Sequence, residues 1–155
     1  MSDPARPESM SGGSLLYRRL DEEVARAARH GLPLCCVVFR MDGGAVLDDA
    51  AAQRLTRAAT LLARRICRQS DVVAAMGPGC FGVVANASGQ GARVLARSVA
   101  AELDALDFLL EGQRVPIEVR YGLSCLSEPM TAREMLEEAR AALDLHVAGG
   151  IEAHC

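Results

Sequence analysis

Residues 68–71 contain the pair of side chains that is best suited to recognising a ligand. Arg68 and Asp71 stand three positions apart in the segment RQSD. An arginine offers a planar fork of donors that fits a phosphate, and a carboxylate beside it accepts hydrogen bonds. The pair also has a structural interpretation, because a cation is favourable near a helix C-terminus and Asp often closes a turn. The residue types alone leave both interpretations open.

The segment that follows, DVVAAMGPGCFGVV, runs from Asp71 to Val84 and predicts a β-hairpin. Apolar runs flank Gly77, Pro78 and Gly79, and such a trio favours a tight turn. A hairpin tip of this shape could hold a reactive phosphate, because glycine lets the backbone approach it closely. This tip contains no carboxylate, Lys or His, so it retains little chemistry of its own.

The cysteines predict packing rather than a metal or redox centre. They are Cys35, Cys36, Cys67, Cys80, Cys125 and Cys155. None forms a C-x-x-C pair, so we expect no zinc site. Most lie in apolar segments, where cysteine behaves as a small buried hydrophobic residue.

Composition and charge predict one domain with its own core. The chain has 155 residues, of which 50% are hydrophobic and 3% aromatic, so the core must consist mainly of Ala, Leu and Val. The net charge of −3 offers no basic surface for nucleic acid or for an anionic membrane. The polar N-terminus lacks the apolar region of a signal peptide, and no apolar run is long enough to span a membrane. We therefore expect a cytoplasmic protein.

Hydrophobic spacing defines the elements that must position these residues. Apolar residues at three- and four-residue steps predict helices over residues 15–29, 49–68, 90–110 and 131–147. Continuous or alternating apolar runs predict strands over residues 32–41, 71–76, 80–85 and 116–126. Thr131 followed by Glu134 is typical of a helix N-terminus, and Val94 is expected on the buried face of the third helix.

This order of elements predicts an α/β fold of the α+β sandwich type, in which helices surround a mixed sheet of about five strands. Residues 1–13 are expected to form a disordered tail, because they are rich in Pro, Ser and Gly. Residues 14–150 would then be the folded domain and residues 151–155 a C-terminal tail.

Four segments resemble, in order, those of the GGDEF domain of the diguanylate cyclase family. They are LDEEVARAARHGLPLCCVVFRMD, RQSDVVAAMGPGCFGVV, VPIEVRYGLS and MLEEARAALDLHVAGG, and together they extend the resemblance over about residues 14–150. The resemblance implies the palm-like fold of nucleotidyl cyclases. Members of the family condense two GTP molecules into cyclic di-GMP within a dimer, a reaction that needs acidic ligands for two Mg²⁺-type ions.

The resemblance also implies that the catalytic hairpin is degenerate. Gly77, Pro78, Gly79, Cys80 and Phe81 stand where the family has Gly, Gly, Asp or Glu, Glu and Phe. Only the first Gly and the Phe are kept. Cys80 occupies the position of a metal-binding Glu, and Pro78 fixes φ where the family keeps a flexible backbone.

Other positions at which the family has functional residues also carry different residue types in this chain. Arg40 stands at the first metal-binding Asp of the D-x-D that ends the first strand. Asp48 stands at the guanine-reading Asn, and Val147 stands at the lysine of the closing helix. Arg40 could neutralise a phosphate in place of a metal, but it cannot act as a base. We therefore expect no cyclase activity, no bound metal and no cofactor.

The R-x-x-D motif is kept as Arg68 and Asp71. In the family this motif forms an inhibitory site that binds the product cyclic di-GMP away from the active site. The Arg would contact a phosphate or a guanine edge, and the Asp would accept from the guanine N1–H and amino groups. A second Arg usually comes from the helix after the hairpin. Arg93 and Arg97 are candidates here, although the family position falls nearer Ala100.

The leading interpretation is therefore an inactive GGDEF domain that binds cyclic di-GMP through Arg68, Asp71 and either Arg93 or Arg97, and presents a surface to an unidentified protein partner. The alternative is a ligand-independent module for protein interaction or homodimerisation. A less favoured one is a domain that binds GTP without turnover, with Arg40 on the phosphates. If neither Arg93 nor Arg97 points towards Arg68, the ligand-independent alternative gains support.

Overall fold

In the computed structural model, residues 13–44, 47–127 and 129–145 are described, and they form four helices and six strands. The helices are α1 (Gly13–His30), α2 (Asp49–Ile66), α3 (Gly89–Asp104) and α4 (Ala132–Leu145). The strands are β1 (Cys35–Asp42), β2 (Val72–Gly77), β3 (Cys80–Ala85), β4 (Leu109–Leu110), β5 (Gln113–Arg114) and β6 (Glu118–Cys125). Of the predicted tails, residues 1–12 and 151–155 lie outside the described residues, as does Val147.

The predicted α+β fold class is confirmed, but the sheet differs in detail from the expectation. The main sheet has four strands in the order β2-β3-β1-β6 within the described residues, and each strand is antiparallel to its neighbours. The expected mixed sheet of about five strands is therefore wrong in strand number and direction. The reason is that β3 lies between β1 and β2, so the crossover through α2 never creates a parallel pair.

Strand β1 is the centre of the fold, as its continuous apolar sequence predicts. It pairs with β3 along one edge and with β6 along the other. Phe39 lies opposite Phe81 on β3 and Tyr121 on β6. The two phenylalanine rings stack with centroids 4.7 Å apart, and the Tyr121 ring lies 5.8 Å from Phe39. These contacts join three strands in one register.

Alternating residues of β1 face two separate layers of the core. Cys35, Val37, Phe39 and Met41 belong to the cluster shared with α2 and α3. Cys36 and Val38 belong to the cluster shared with α1 and α4. The odd-numbered residues of β1 therefore pack against α2 and α3, and the even-numbered ones pack against α1 and α4.

The third helix is shorter than its sequence predicts. It ends at Asp104 rather than at residue 110, and Leu109–Leu110 instead pair with Gln113–Arg114 across a turn in which Glu111 has a φ of 52°. Val94 is 56% exposed, so its predicted burial is wrong. Ala92 and Ala96 define the buried face. Val94 is two residues, or about 200°, from each of them, so it lies on the opposite side of the helix.

The start of α4 has the predicted capping arrangement. The backbone N–H of Thr131 donates to Glu134 Oε1 at 2.8 Å, and the N–H of Glu134 donates to Thr131 Oγ1 at 3.1 Å. This reciprocal pair satisfies two donors that a helix start leaves unpaired. No helix in the described part of the chain is both long and apolar enough to cross a membrane.

Gly122 fixes the distance between β6 and α4. A Cβ atom built on Gly122 would collide with the backbone of Ala139, Ala142 and Leu143. Two residues further along β6, Ser124 Oγ donates to the carbonyl oxygen of Met135 on α4 at 2.7 Å. Backbone atoms cannot move aside as the end of a side chain can, so this helix packs closely only on glycine.

Replacing Gly122 by Ala is therefore expected to lower the free energy of unfolding by about 3 kcal/mol, because α4 must move off the sheet. Gly91→Ala is the control, since the nearest atom to its added Cβ is the Cβ of Ala87 at 3.3 Å and Gly91 lies within a helix. Urea unfolding of both variants measures the difference. Equal stability of the two variants would contradict this role of Gly122.

Candidate ligand-binding site

The R-x-x-D segment forms a closed turn immediately after α2. The helix ends at Ile66, and Cys67 is extended with φ −72° and ψ 158°. The N–H of Asp71 donates to the carbonyl oxygen of Arg68 at 3.0 Å, and the N–H of Arg68 donates to Asp71 Oδ2 at 3.0 Å. The turn therefore fixes the backbone of Arg68 and Asp71 relative to each other.

Asp71 also connects this turn to the end of β3. Its second oxygen, Oδ1, accepts from the N–H of Asn86 at 3.1 Å. The Asn86 side chain donates to the carbonyl oxygen of Ser70 at 3.1 Å and accepts from Arg26 Nη2 at 3.1 Å. Both carboxylate oxygens thus have a structural role. Because each oxygen can accept two hydrogen bonds, Asp71 keeps capacity to bind a ligand as well.

Arg68 and Asp71 line the same surface cavity, which has a volume of about 220 Å³. The remaining lining residues come mainly from the end of α2 and from α3: Ile66, Ala87, Gly91, Val94, Leu95 and Ser98. Arg68 is exposed at this cavity. Pockets that enclose a drug-sized ligand usually exceed about 300 Å³, so a dinucleotide here would lie partly outside the cavity.

The structure does not place Arg93 or Arg97 at this cavity. The α3 wall consists of Gly91, Val94, Leu95 and Ser98, which share one helix face. At about 100° per residue, Arg93 is roughly 150° and Arg97 roughly 110° from the centre of that face. The guanidinium of Arg93 instead acts on the thiol of Cys35, whose pKa it lowers against the larger effect of burial. Of the four residues predicted to form the site, only Arg68 and Asp71 therefore line this cavity.

The tip of the β2–β3 hairpin is anchored by its own backbone. The N–H of Gly79 donates to Thr56 Oγ1 at 2.7 Å, and its carbonyl oxygen accepts from the N–H of Met41 at 2.8 Å. Gly79 has a φ of 76°, which favours glycine, and an added Cβ would lie 2.9 Å from the carbonyl oxygen of Met41. Pro78 is exposed at the turn and Gly77 has a φ of 143°. The Gly79 N–H, a donor of the kind that binds a phosphate, is thus used to attach the tip to α2.

Two positions that the resemblance predicts to correspond to the family's metal ligands lie next to each other across β1 and β3. Arg40 is directly opposite Cys80 on one side and directly opposite Arg120 on the other. Burial raises the pKa of Cys80, although Arg40 and Arg140 oppose the shift. The thiol is therefore neutral at physiological pH and lies close to guanidinium groups.

Burial also keeps the thiols of Cys35, Cys36 and Cys67 protonated. It raises the pKa of Cys35 and of Cys36 to about 12, and that of Cys67 to about 11. Cys35 Sγ donates to the carbonyl oxygen of Ala87 at 3.3 Å. Because the nucleophilic form of cysteine is the thiolate, these residues act as packing groups, as their apolar sequence contexts predict.

A larger cavity of about 690 Å³ lies between the β1–α2 loop and the β4–β5 hairpin. Its lining residues are Gly43, Asp48, Leu110, Glu111, Gln113, Arg114, Val115 and Pro116. Asp48 is the N-cap of α2, since its Oδ1 accepts from the N–H of Ala51 at 2.8 Å. The position predicted to read guanine therefore already holds the start of a helix.

Comparison with known proteins identifies the fold. No protein-family model and no curated protein sequence matches the chain. Among solved structures, the GGDEF domain of PA1120 (YfiN or TpbB) from Pseudomonas aeruginosa superposes with a TM-score of 0.79 at 23% identity, covering 92% of this chain and 95% of that chain. The GGDEF domain of DgcB from Caulobacter crescentus, solved in complex with c-di-GMP, superposes with a TM-score of 0.80 at 14% identity, covering 91% and 90%.

The diguanylate cyclase SiaD from Pseudomonas aeruginosa, solved in complex with its activator SiaC, superposes with a TM-score of 0.82 at 18% identity. The match covers 97% of this chain and 62% of SiaD. At identities this low, the similarity shows the fold: this chain has the fold of GGDEF domains.

Removing the Asp71 carboxylate is expected to destabilise the protein, whereas removing the Arg68 side chain is not. Asp71→Ala leaves the amides of Arg68 and Asn86 without their acceptor and should lower the free energy of unfolding by about 2 kcal/mol. Arg68→Ala removes an exposed side chain and should change it by less than about 0.5 kcal/mol. Urea unfolding measures both. An Asp71→Ala variant as stable as wild type would contradict the role of the carboxylate in the turn.

Proposed function

We propose that this chain is a GGDEF-fold domain without cyclase activity that binds cyclic di-GMP through Arg68 and Asp71. The observation that carries the proposal is that an exposed Arg68 side chain and the Asp71 carboxylate line one cavity, on a turn that hydrogen bonds hold closed. The presence of c-di-GMP in the DgcB complex supports the same ligand class for this fold.

The chemistry of the pair suits a guanine dinucleotide. The Arg68 guanidinium can donate in parallel to a phosphate or a guanine edge, or stack on the purine. The unused acceptor capacity of Asp71 can take the guanine N1–H and amino groups. Because the cavity is small and no second arginine among the described residues lines it, we expect a dissociation constant in the micromolar range rather than lower.

The position of the Arg40 side chain supports the proposed absence of cyclase activity. Catalysis on GTP needs carboxylates that hold divalent ions at the triphosphate. Here Arg40 lies between Cys80 and Arg120 in the register of the sheet. A fixed guanidinium beside a neutral thiol repels a divalent cation, so this arrangement is unsuited to two-metal chemistry.

The second candidate function is ligand-independent binding of a protein partner or of a second copy of the chain. It is favoured by the position of Arg93 and Arg97 away from the described lining of the cavity, by the structural role of both Asp71 oxygens and by the exposed Val94 at the rim of the cavity. SiaD, which has the same fold, was solved with a protein activator. In this case Arg68 would be a surface residue and cyclic di-GMP would not bind.

Isothermal titration with cyclic di-GMP separates the two candidates. We expect saturable binding by wild type and at least a tenfold loss of affinity in Arg68→Ala, which corresponds to about 1.4 kcal/mol. Arg65→Ala is the matched control. Arg65 lies on the last turn of α2 and is exposed, as Arg68 is, but it does not line the cavity. No heat with wild type, or equal affinity in both variants, would favour the ligand-independent function.

A cyclase assay tests the other half of the proposal. Incubation of the purified protein with GTP and either Mg²⁺ or Mn²⁺ should yield no cyclic di-GMP above a protein-free blank, because the metal positions carry Arg40 and Cys80. Chromatography of the nucleotides measures the product. Turnover by wild type that disappears on boiling would refute the claim of inactivity.

A further inference from the structure

The outward side of α2 carries arginines around one exposed leucine. Leu61 is 59% exposed, and at about 100° per residue it lies opposite Ala59 and Ala63, which are buried in the core. Four arginines lie within about 60° of Leu61 around the helix axis and within about two turns of it along the axis. They are Arg54, Arg57, Arg64 and Arg65, and all are exposed. Together with Leu61 they form the basic face of α2.

No described carboxylate balances the charge of this face. The only acidic residue of α2 is Asp49 in its first turn, which is about 18 Å from Leu61 along the axis at 1.5 Å per residue. In the described part of the chain, no arginine of α2 forms an ion pair, whereas Arg26 on α1 pairs with Glu23 at 2.7 Å. The net charge of −3 therefore averages over a face that is strongly basic.

Neighbouring elements hold two of the four guanidinium groups in place. Arg64 Nη2 donates to the carbonyl oxygen of Val73 on β2 at 3.2 Å. Arg54 Nη2 donates to the carbonyl oxygen of Leu109 at 3.3 Å, and its guanidinium carbon lies 5.4 Å from the centroid of the Phe108 ring. A guanidinium has five donors, so each of these groups keeps donors for a partner. Because both side chains are already ordered, binding costs them less conformational entropy.

The composition of the basic face fits an acidic protein segment better than a membrane or a nucleic acid. Guanidinium groups pair with carboxylates through two parallel hydrogen bonds. Arginine and apolar anchors are also enriched at the centres of protein interfaces. A membrane surface would need several apolar side chains to insert, and this face contains only Leu61. A nucleic acid would be repelled by the net charge of −3.

We propose that the basic face of α2 is a docking surface for a carboxylate-rich segment of a partner protein, with one apolar side chain of that segment against Leu61. The surface is separate from the Arg68 cavity, because none of its five residues lines that cavity. Docking at this surface therefore does not depend on cyclic di-GMP binding.

Fluorescence anisotropy with a labelled synthetic peptide, made of Glu with Leu at every fourth position, tests this surface. We expect saturable binding by wild type, weakened about tenfold in Arg57→Glu and about fivefold in Leu61→Ala. Arg29→Glu is the matched control. Arg29 is also an exposed arginine, but it lies on α1, which packs on the opposite face of the sheet from α2. A peptide with Gln in place of Glu should not bind.

Three results would overturn the docking surface: no binding of the Glu–Leu peptide, equal affinity for the Gln peptide, or equal weakening by Arg29→Glu. Binding of phosphatidylglycerol vesicles in place of the peptide, lost in Arg57→Glu, would also overturn it, because the occupant would then be a membrane. The thermal unfolding midpoint of each variant is measured in parallel. Should Arg57→Glu unfold, Arg65→Glu replaces it and must show the same loss.

Discussion

Pairing of β1 along both of its edges is the constraint on which the rest of this structure depends. The stacked rings of Phe39 and Phe81, with Tyr121 beside them, lock three strands in one register. That register places Ala85 beside the first residue of β1 and Cys80 beside Arg40 near its last. A shift of this register by one residue would move every side chain to the other face.

The two ends of β1 are held by different contacts. Near its start, Asp71 holds a turn and still has acceptor capacity for a ligand. Near its end, the hairpin tip is fixed to Thr56 and Met41, so the backbone groups of Gly79 are occupied. Arg40 and Arg120, which lie opposite each other, bring positive charge to this end of the sheet.

The sequence predicted correctly the elements that depend on interactions between residues close together in the chain. The hairpin, the buried strand β1 and the Thr131–Glu134 cap follow from residues close together in the chain. The end of α3 and the burial of Val94 were mispredicted because strand pairing at Leu109 and packing on the sheet decide them. Thr56 and Asn86 were missed for the same reason. Their roles depend on partners far away in sequence, and an isolated Thr or Asn carries no local signal of them.

Amide chemical shifts in nuclear magnetic resonance spectra test most directly whether Arg68 and Asp71 form the binding site. The N–H groups of Arg68 and Asn86, which both donate to Asp71, report on this site, and those of Arg40 and Arg120 at the other end of β1 serve as the reference. We expect cyclic di-GMP to shift the first pair and to leave the second pair unchanged. Equal shifts of both pairs, or shifts of neither, would contradict this description of the protein.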